Sequence, residues 1–349
     1  MSSQGEHRYV VIGAGAIGGT VGGVLARAGV PTALVARGKH AEVLATEGLT
    51  MHTPDGTFHT PVDTAFRPDD LRLTDHDVLV FATKTQQLDA ALQQWVDRPV
   101  SRSDGTTVAA GECLPVLTAL NGVVAEENAL RYFRRVFGVC VWCPAAHMQS
   151  GEVIIRTWPV VGQFHIARWP ASVGTAEDAE FLATLAATWN AAGIEVRRPD
   201  DVGPWKYNKL LVNLTNAVRA LSFEDASHVG TAVMSEGVDV LRDAGIDFVP
   251  FETSTAARSD GPTPRPVPGS AGAPGDSTSQ SLRRNTGNVE TDYLNGEIVR
   301  IAHRIGRSAP INAALTHAAR AAARDGVGPG QYSAAQLADL VGLDPAEAK

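Results

Sequence analysis

Hydrophobic positions along this chain follow two periods. Up to about Arg198, short and nearly continuous apolar runs alternate with amphipathic stretches: Tyr9–Ile12, Thr32–Ala36, Asp77–Ala82, Cys113–Leu120 and Val136–Trp142 read as buried strands, several followed by a helix-like segment. Leu49–Thr53 and Thr57–Val62 around Pro54-Asp55-Gly56 predict a β-hairpin, and Gly151–Thr157 with Val160–Ala167 a second one that carries the sheet further. Ala176–Ala192 reads as a helix and Gly193–Arg197 as a last strand. Alternating βα units of this kind predict an α/β fold with a doubly wound sheet.

From Trp205 onward the period is helical. Trp205–Leu221 reads as one helix, followed by helices near Val229–Asp243, Thr286–Ile305, Ile311–Arg324 and Ala334–Val341. On the first of these, Lys206, Lys209, Asn213 and Asn216 fall within an arc of about 80° at 100° per residue, beside an apolar arc of Leu210, Leu214, Ala217, Val218 and Leu221. The chain's lysines are Lys39, Lys84, Lys206, Lys209 and Lys349, so two within one turn of a single helix face stand out. Between the two regimes, Pro199-Asp-Asp-Val-Gly-Pro204 reads as a hinge, which predicts a first domain over 1–198 and an all-helical second domain over 199–349. Within the latter, 251–281 is rich in proline and glycine and reads as a mobile insert.

Composition narrows the function. A chain of 349 residues with 44% hydrophobic content is long enough for two cores, and a formal charge of −8 with scattered arginines excludes a nucleic-acid-binding surface. A small-molecule partner is expected instead. Met1–Arg8 has no apolar core of a signal peptide, and the uncharged stretch Val10–Ala26 is too glycine-dense for a membrane span, so no membrane partner and a cytoplasmic location are expected. Cys113, Cys140 and Cys143 form no disulfide pattern, and Cys140 and Cys143 lie in a strand, where residues three apart point to opposite faces, so no metal site is expected.

The chemistry begins at Gly13-Ala-Gly-Ala-Ile-Gly18, which follows the first strand directly and opens a helix. Gly13 suits the tight turn, Gly15 close approach of a pyrophosphate, and Gly18 close packing of helix on strand, with the anion on the helix N-terminus. The second strand ends in Ala36-Arg37-Gly38-Lys39 rather than in the carboxylate that accepts from a ribose 2′-hydroxyl. A guanidinium there can grip a 2′-phosphate, which predicts NADP(H) with Arg37 as its main contact and Lys39 as a weaker one. Lys84 and Asn121 end later strands on the rim where such sheets bind ligands. Far along the chain, Glu290 shares a helix face with Leu294, Ile298 and Ile301, so its carboxylate needs a partner: a substrate hydroxyl, Lys209 or an arginine.

Taken together, Val11–Gly19, Thr83-Lys84, Asn121-Gly122, Lys209-Leu-Leu-Val-Asn213 and Glu290-Thr-Asp-Tyr-Leu-Asn-Gly296 resemble the ketopantoate reductase family, in that family's order and across nearly the whole chain. The resemblance implies a Rossmann-type domain followed by a helical one, with the active site in the cleft between them. It puts the catalytic lysine on Lys209, a substrate asparagine on Asn213, the hydroxyl-binding glutamate on Glu290, and cofactor contacts on Gly13, Gly15, Ile17, Gly18, Arg37, Lys84 and Asn121. The family's serine for the substrate carboxylate falls among Ser277, Thr278 and Ser279, with Ser277 favoured. This sequence departs from the pattern at Ala217, where a second asparagine is common; Asn216 lies one residue earlier.

The expected reaction is NADPH-dependent reduction of a 2-oxo acid, 2-dehydropantoate first, with Lys209 as general acid, Lys206 as its rival, and Asn121, Asn213, Asn216 and Ser277 orienting the substrate. A reductase of another 2-oxo acid or a dicarbonyl is the alternative within enzymes, and a non-catalytic NADPH-binding sensor the alternative outside them. The chain is expected as a monomer or a homodimer.

Overall fold

The computed structural model describes residues 7–270, 275–285 and 287–344. The chain divides into two compact units: Met1–Leu120, Val124–Trp205 and Glu252–Ala271 form one, and Asn121–Val123, Lys206–Phe251 and Gly272–Lys349 the other. Against the expected 1–198 and 199–349, the first unit runs on to Trp205 and includes Glu252–Ala271, most of the expected insert, while Asn121–Val123 belong to the second. The expected hinge is not a loop throughout. Its last residues, Gly203 and Pro204, already lie in a helix whose first N–H is capped by Asp201, Gly203 N donating to Oδ1 at 2.8 Å.

The strands of the first unit are β1 (Arg8–Ile12), β2 (Thr32–Val35), β3 (Leu49–Thr53), β4 (Gly56–Thr60), β5 (Asp63–Ala65), β6 (Leu73–Thr74), β7 (Asp77–Phe81), β8 (Pro99–Ser101), β9 (Thr107–Ala109), β10 (Pro115–Thr118), β11 (Arg135–Trp142), β12 (Ala145–Ala146), β13 (Glu152–Ile155), β14 (Gln163–Trp169) and β15 (Glu195–Arg197). Eight of them form one sheet in the order β15-β14-β11-β10-β7-β1-β2-β5, parallel except where β14 meets β11. The order reverses at β1, which has β2 on one side and β7 on the other. That is where a doubly wound sheet opens a crevice at its carboxyl edge.

Both sheet faces are covered, which is why the strands read as unbroken apolar runs. Successive β1 residues alternate between cores: Tyr9 and Val11 pack with Val80, Leu117 and Trp189 on one side, Val10 and Ile12 with Leu79, Val116 and Trp95 on the other. Each such valine or isoleucine contributes about 1.5–3 kcal/mol on burial. The helices here are α1 (Ala16–Arg27), α2 (Gly38–Glu47), α3 (Thr85–Val96), α4 (Ala110–Cys113), α5 (Ala125–Leu130) and α6 (Ala176–Ala191).

The first hairpin forms as expected, β3 on β4, but the second does not. β13 joins β3 and β12 in a separate four-stranded sheet, while β14 returns to the main one between β11 and β15. Alternation alone cannot say which sheet a strand joins. The expected strand over Cys113–Leu120 is also shorter: α4 ends at Cys113 and β10 covers only Pro115–Thr118.

The remaining helices are α7 (Gly203–Asn213), α8 (Thr215–Leu221), α9 (Ser227–Asp243), α10 (Phe251–Ser259), α11 (Ser277–Arg283), α12 (Asn295–Arg304), α13 (Pro310–Arg324) and α14 (Ala334–Leu340). The core of the second unit gathers Leu210, Leu214, Ala217, Val218 and Leu221 against Val233, Val240, Ile298 and Leu315, so the apolar arc of the 205–221 segment faces inward. Three expectations are corrected. The single helix is interrupted at Leu214; the stretch expected as a mobile insert contains α10 at its start and α11 near its end, with 271–274 outside the described residues; and α12 begins at Asn295, preceded by a 3-10 turn over Glu290–Tyr293. Thr286, the expected start of that helix, also lies outside the described residues. Among the described residues no helix is long and apolar enough to cross a membrane.

Candidate active site

In the first unit the glycine loop joins β1 to α1. Gly13 has φ +97°, and a Cβ there would lie 3.0 Å from the Ala82 carbonyl oxygen and the Thr83 nitrogen at the end of β7, so both the turn and the close approach of strands require glycine. At Gly18 a Cβ would fall 2.1 Å from the Gly13 carbonyl oxygen and 3.0 Å from Val11, which would push α1 off β1. Gly15 differs: nothing lies within 4 Å of its Cβ position. It is the N-cap of α1 with no side-chain cap, and no acidic residue sits in the first turn. The donors of Ala16, Ile17 and Gly18 therefore front an open space at the positive end of a helix, a fit for a diphosphate. The Ile17 side chain itself packs against the core.

Arg37 is exposed and is the N-cap of α2, one peptide beyond the buried Ala36 that follows β2. Lys39 is already paired, 3.6 Å from Glu42, and both groups are largely in solvent. Lys84 is the half-buried N-cap of α3, three residues past the end of β7.

In the second unit, α7 carries Lys206, Lys209 and Asn213. Lys206 is buried, 3% exposed, whereas Lys209 and Asn213 are half-buried. The Asn213 amide donates to Asn121 Oδ1 at 3.4 Å, joining residues 92 apart in sequence. Gly122, with φ +81°, is pressed against the Tyr293 carbonyl, 2.9 Å from where a Cβ would stand, and so rests on the turn that carries Glu290. Glu290 is 5% exposed. Burial holds the Arg284 guanidinium pKa below its usual value, and the negative charge of the Glu290 carboxylate offsets part of that shift.

The remaining candidates separate. Asn216 is buried and its Oδ1 accepts from Arg219 Nη2 at 2.8 Å, which commits one end of its amide. Ser279 is engaged by Asp276: its N–H donates to Oδ1 at 3.0 Å and its hydroxyl to Oδ2 at 2.9 Å, capping α11. Ser277 Oγ and Thr278 Oγ1 are buried and, among the described residues, have no hydrogen-bond partner. A buried hydroxyl left unbonded is costly, so either is a place for a ligand acceptor.

Several residues that shape these groups were not singled out in the sequence. Asn295, fully buried, donates to the Leu214 carbonyl at 3.1 Å and to Asn312 Oδ1 at 3.0 Å. Asn312 Nδ2 donates in turn to Glu236 Oε1 at 2.9 Å, and the Glu236 carboxylate accepts the Ile311 and Asn312 N–H groups at the head of α13. The Leu214 carbonyl reached by Asn295 lies at the break between α7 and α8, where the Thr215 hydroxyl also donates to the Val212 carbonyl at 2.9 Å. His40 was also missed, although it lies only three residues past Arg37. Among the described residues no three His, Cys, Asp or Glu side chains are grouped to hold a metal ion.

The family model described as "Ketopantoate reductase PanE/ApbA" matches residues 9–170, and that described as "Ketopantoate reductase PanE/ApbA C terminal" matches 204–323. A 2-dehydropantoate 2-reductase of Pyrococcus horikoshii is 25% identical over 321 residues, 87% of this chain and 94% of its own. That of Pyrococcus abyssi is 25% identical over 324 residues, covering 88% and 95%. Among solved structures, a PanE/ApbA family ketopantoate reductase from Ralstonia eutropha JMP134 superposes with TM-score 0.71 at 25% identity, covering 91% of this chain and 99% of that one. A D-mandelate dehydrogenase solved with NADH and anilino(oxo)acetate shares the fold with TM-score 0.72 at 19% identity, covering 91% and 99%.

Proposed function

This chain belongs to the ketopantoate reductase PanE/ApbA family, an oxidoreductase family, and on that premise we propose that it reduces a small 2-oxo acid, 2-dehydropantoate first, using NADPH, with Lys209 as proton donor. The observation that carries the reading is the meeting of Asn213 and Asn121, amide to amide, one helical turn beyond Lys209, with Gly122 seated on the Glu290 turn. It joins three distant stretches of sequence, one of them the helix that carries Lys209.

NADPH, when bound, supplies the hydride. The residues that would hold it are those with room and charge for it: Gly15 and the first-turn donors of α1 for the diphosphate, and Arg37 for the 2′-phosphate, since a carboxylate at that point would repel it. On the substrate side, the Lys209 ammonium stabilises negative charge growing on the keto oxygen and donates its proton there, an effect of about 10²–10⁴-fold for the proton transfer. Asn213 and Asn121 orient that oxygen through neutral donors. Glu290 accepts from a substrate hydroxyl, and Ser277 donates to the carboxylate.

A 2-oxo acid other than 2-dehydropantoate is the second reading. It is favoured by Ala217, 1% exposed, at the place of the usual second asparagine, and by Asn216 being held by Arg219. The test is NADPH oxidation by the purified protein with 2-dehydropantoate and a panel of 2-oxo acids, beside Lys209→Ala. Turnover of 2-dehydropantoate that disappears in the variant upholds the first reading. Turnover only with another acid moves the substrate, and NADPH binding without turnover of any acid turns the protein into a sensor.

A further inference from the structure

His40 lies on α2, and its ring spans two backbone groups from different parts of the first unit. Nε2 is 2.7 Å from the carbonyl oxygen of Ala14, inside the glycine loop, and Nδ1 accepts the Gly151 N–H at 2.9 Å, just ahead of β13. These partners fix the tautomer. A backbone N–H only donates, so Nδ1 carries no proton; a carbonyl only accepts, so the proton of the neutral ring is on Nε2. The ring also stands against His147, centroids 4.5 Å apart, whose Nδ1 faces the Glu152 carbonyl at 3.0 Å. The Glu152 carboxylate is in turn 3.2 Å from His52.

The Ala14 carbonyl belongs to the peptide that ends at Gly15 nitrogen. A trans peptide is planar, and its C=O and N–H point in opposite directions, so holding the carbonyl on His40 aims the Gly15 N–H away from His40. Gly15 is the residue with open space around its Cβ position, at the uncapped N-terminus of α1. The helix that carries His40, α2, begins just after Arg37, so one ring ties the diphosphate loop to the element that carries the proposed 2′-phosphate contact.

We propose that His40 is a positioning residue for dinucleotide binding, locking the Ala14–Gly15 peptide so that the loop presents its N–H groups to a diphosphate; this rests on the reading of the glycine loop as a dinucleotide site. The two bonds of the ring can be removed separately. An asparagine carbonyl occupies the place of Nδ1 and keeps the Gly151 bond while losing the one to Ala14; a glutamine amide reaches the place of Nε2 and keeps Ala14 while losing Gly151.

The experiment measures the NADPH dissociation constant by fluorescence titration, and the thermal midpoint, for the wild type, His40→Asn and His40→Gln. One lost hydrogen bond predicts about 3- to 10-fold weaker NADPH binding in His40→Asn, with His40→Gln within about twofold of the wild type although both lose some thermal stability. Equal affinity losses in the two variants, or a His40→Asn protein that binds as the wild type does, would overturn the inference and leave the dinucleotide reading standing. A stable wild type with no saturable binding of NADPH or NADH would overturn both.

Discussion

Gly15 separates a requirement of the fold from a requirement of the ligand. In Gly15→Ala the new methyl enters a space with nothing within 4 Å, and the backbone at φ −74°, ψ −153° is extended, where alanine is unstrained. Replacing glycine at an N-cap by alanine costs up to about 1 kcal/mol, and the reduced freedom of the unfolded chain returns about 0.4–1 kcal/mol, so stability should hardly change. Binding should change greatly. A methyl group where a diphosphate must meet the backbone is an overpacking of about 1–3 kcal/mol, which at 1.4 kcal/mol per decade is about 5- to 150-fold in NADPH affinity. Gly18→Ala is the control in the opposite sense: its methyl would sit 2.1 Å from the Gly13 carbonyl oxygen, against backbone that cannot yield, so the thermal midpoint should fall before any ligand is added. The assay is fluorescence titration with NADPH beside thermal unfolding of each variant. A Gly15→Ala protein with wild-type stability and NADPH affinity within twofold of the wild type would refute the placement of the diphosphate.

Lys209→Ala should lower kcat by about 10²–10⁴-fold with little change in NADPH affinity, while Lys206→Ala retains turnover; the reverse pattern in steady-state kinetics would transfer the proton donor to Lys206. Arg37→Asp should shift preference from NADPH towards NADH, read as the ratio of kcat/KM for the two cofactors, and an unchanged ratio would remove Arg37 from the phosphate site. Asp178→Asn tests a buried charge away from the site. Burial alone would raise the Asp178 carboxyl, but Arg135 and Thr175 outweigh it and hold it below the usual carboxylate range. A pKa depressed by folding stabilises the native state above the unfolded value of about 3.9, and that contribution disappears as pH falls through the lower folded value. The variant should therefore be about 1–3 kcal/mol less stable at pH 7 and approach the wild type below about pH 4 in urea unfolding; a gap independent of pH would count against the ion pair.

What was legible in the sequence is what local pattern can encode. The β1 run announced a strand buried on both faces, and its residues do alternate between two cores. The three glycines of the loop could each be given a separate physical reason, because the motif's spacing already implies a strand, a turn and a helix. The apolar arc of the 205–221 segment is inward, as its period requires. The second hairpin was misread for the same reason the first was read correctly: alternation marks a strand but not its neighbour, and β13 found its partner in β3, about a hundred residues earlier.

The groups that shape the candidate site are long-range and polar, and neither period nor propensity reports them. Leu214 itself does not forecast an interruption; leucine is a strong helix former and its φ of −58° and ψ of −32° remain helical. At the break, Asn295, 81 residues later, reaches the Leu214 carbonyl with its amide, while Asn312 and Glu236 hold that amide from behind. On either side of the break the two asparagines of the predicted stripe have different partners: Asn213 meets Asn121, and Asn216 meets Arg219 on its own helix. A helical wheel drawn through an unbroken helix puts them on one face. Asn295, Asn312 and Glu236 fix the Leu214 carbonyl between these two asparagines, and a polar chain drawn from three distant segments leaves no trace in any local period.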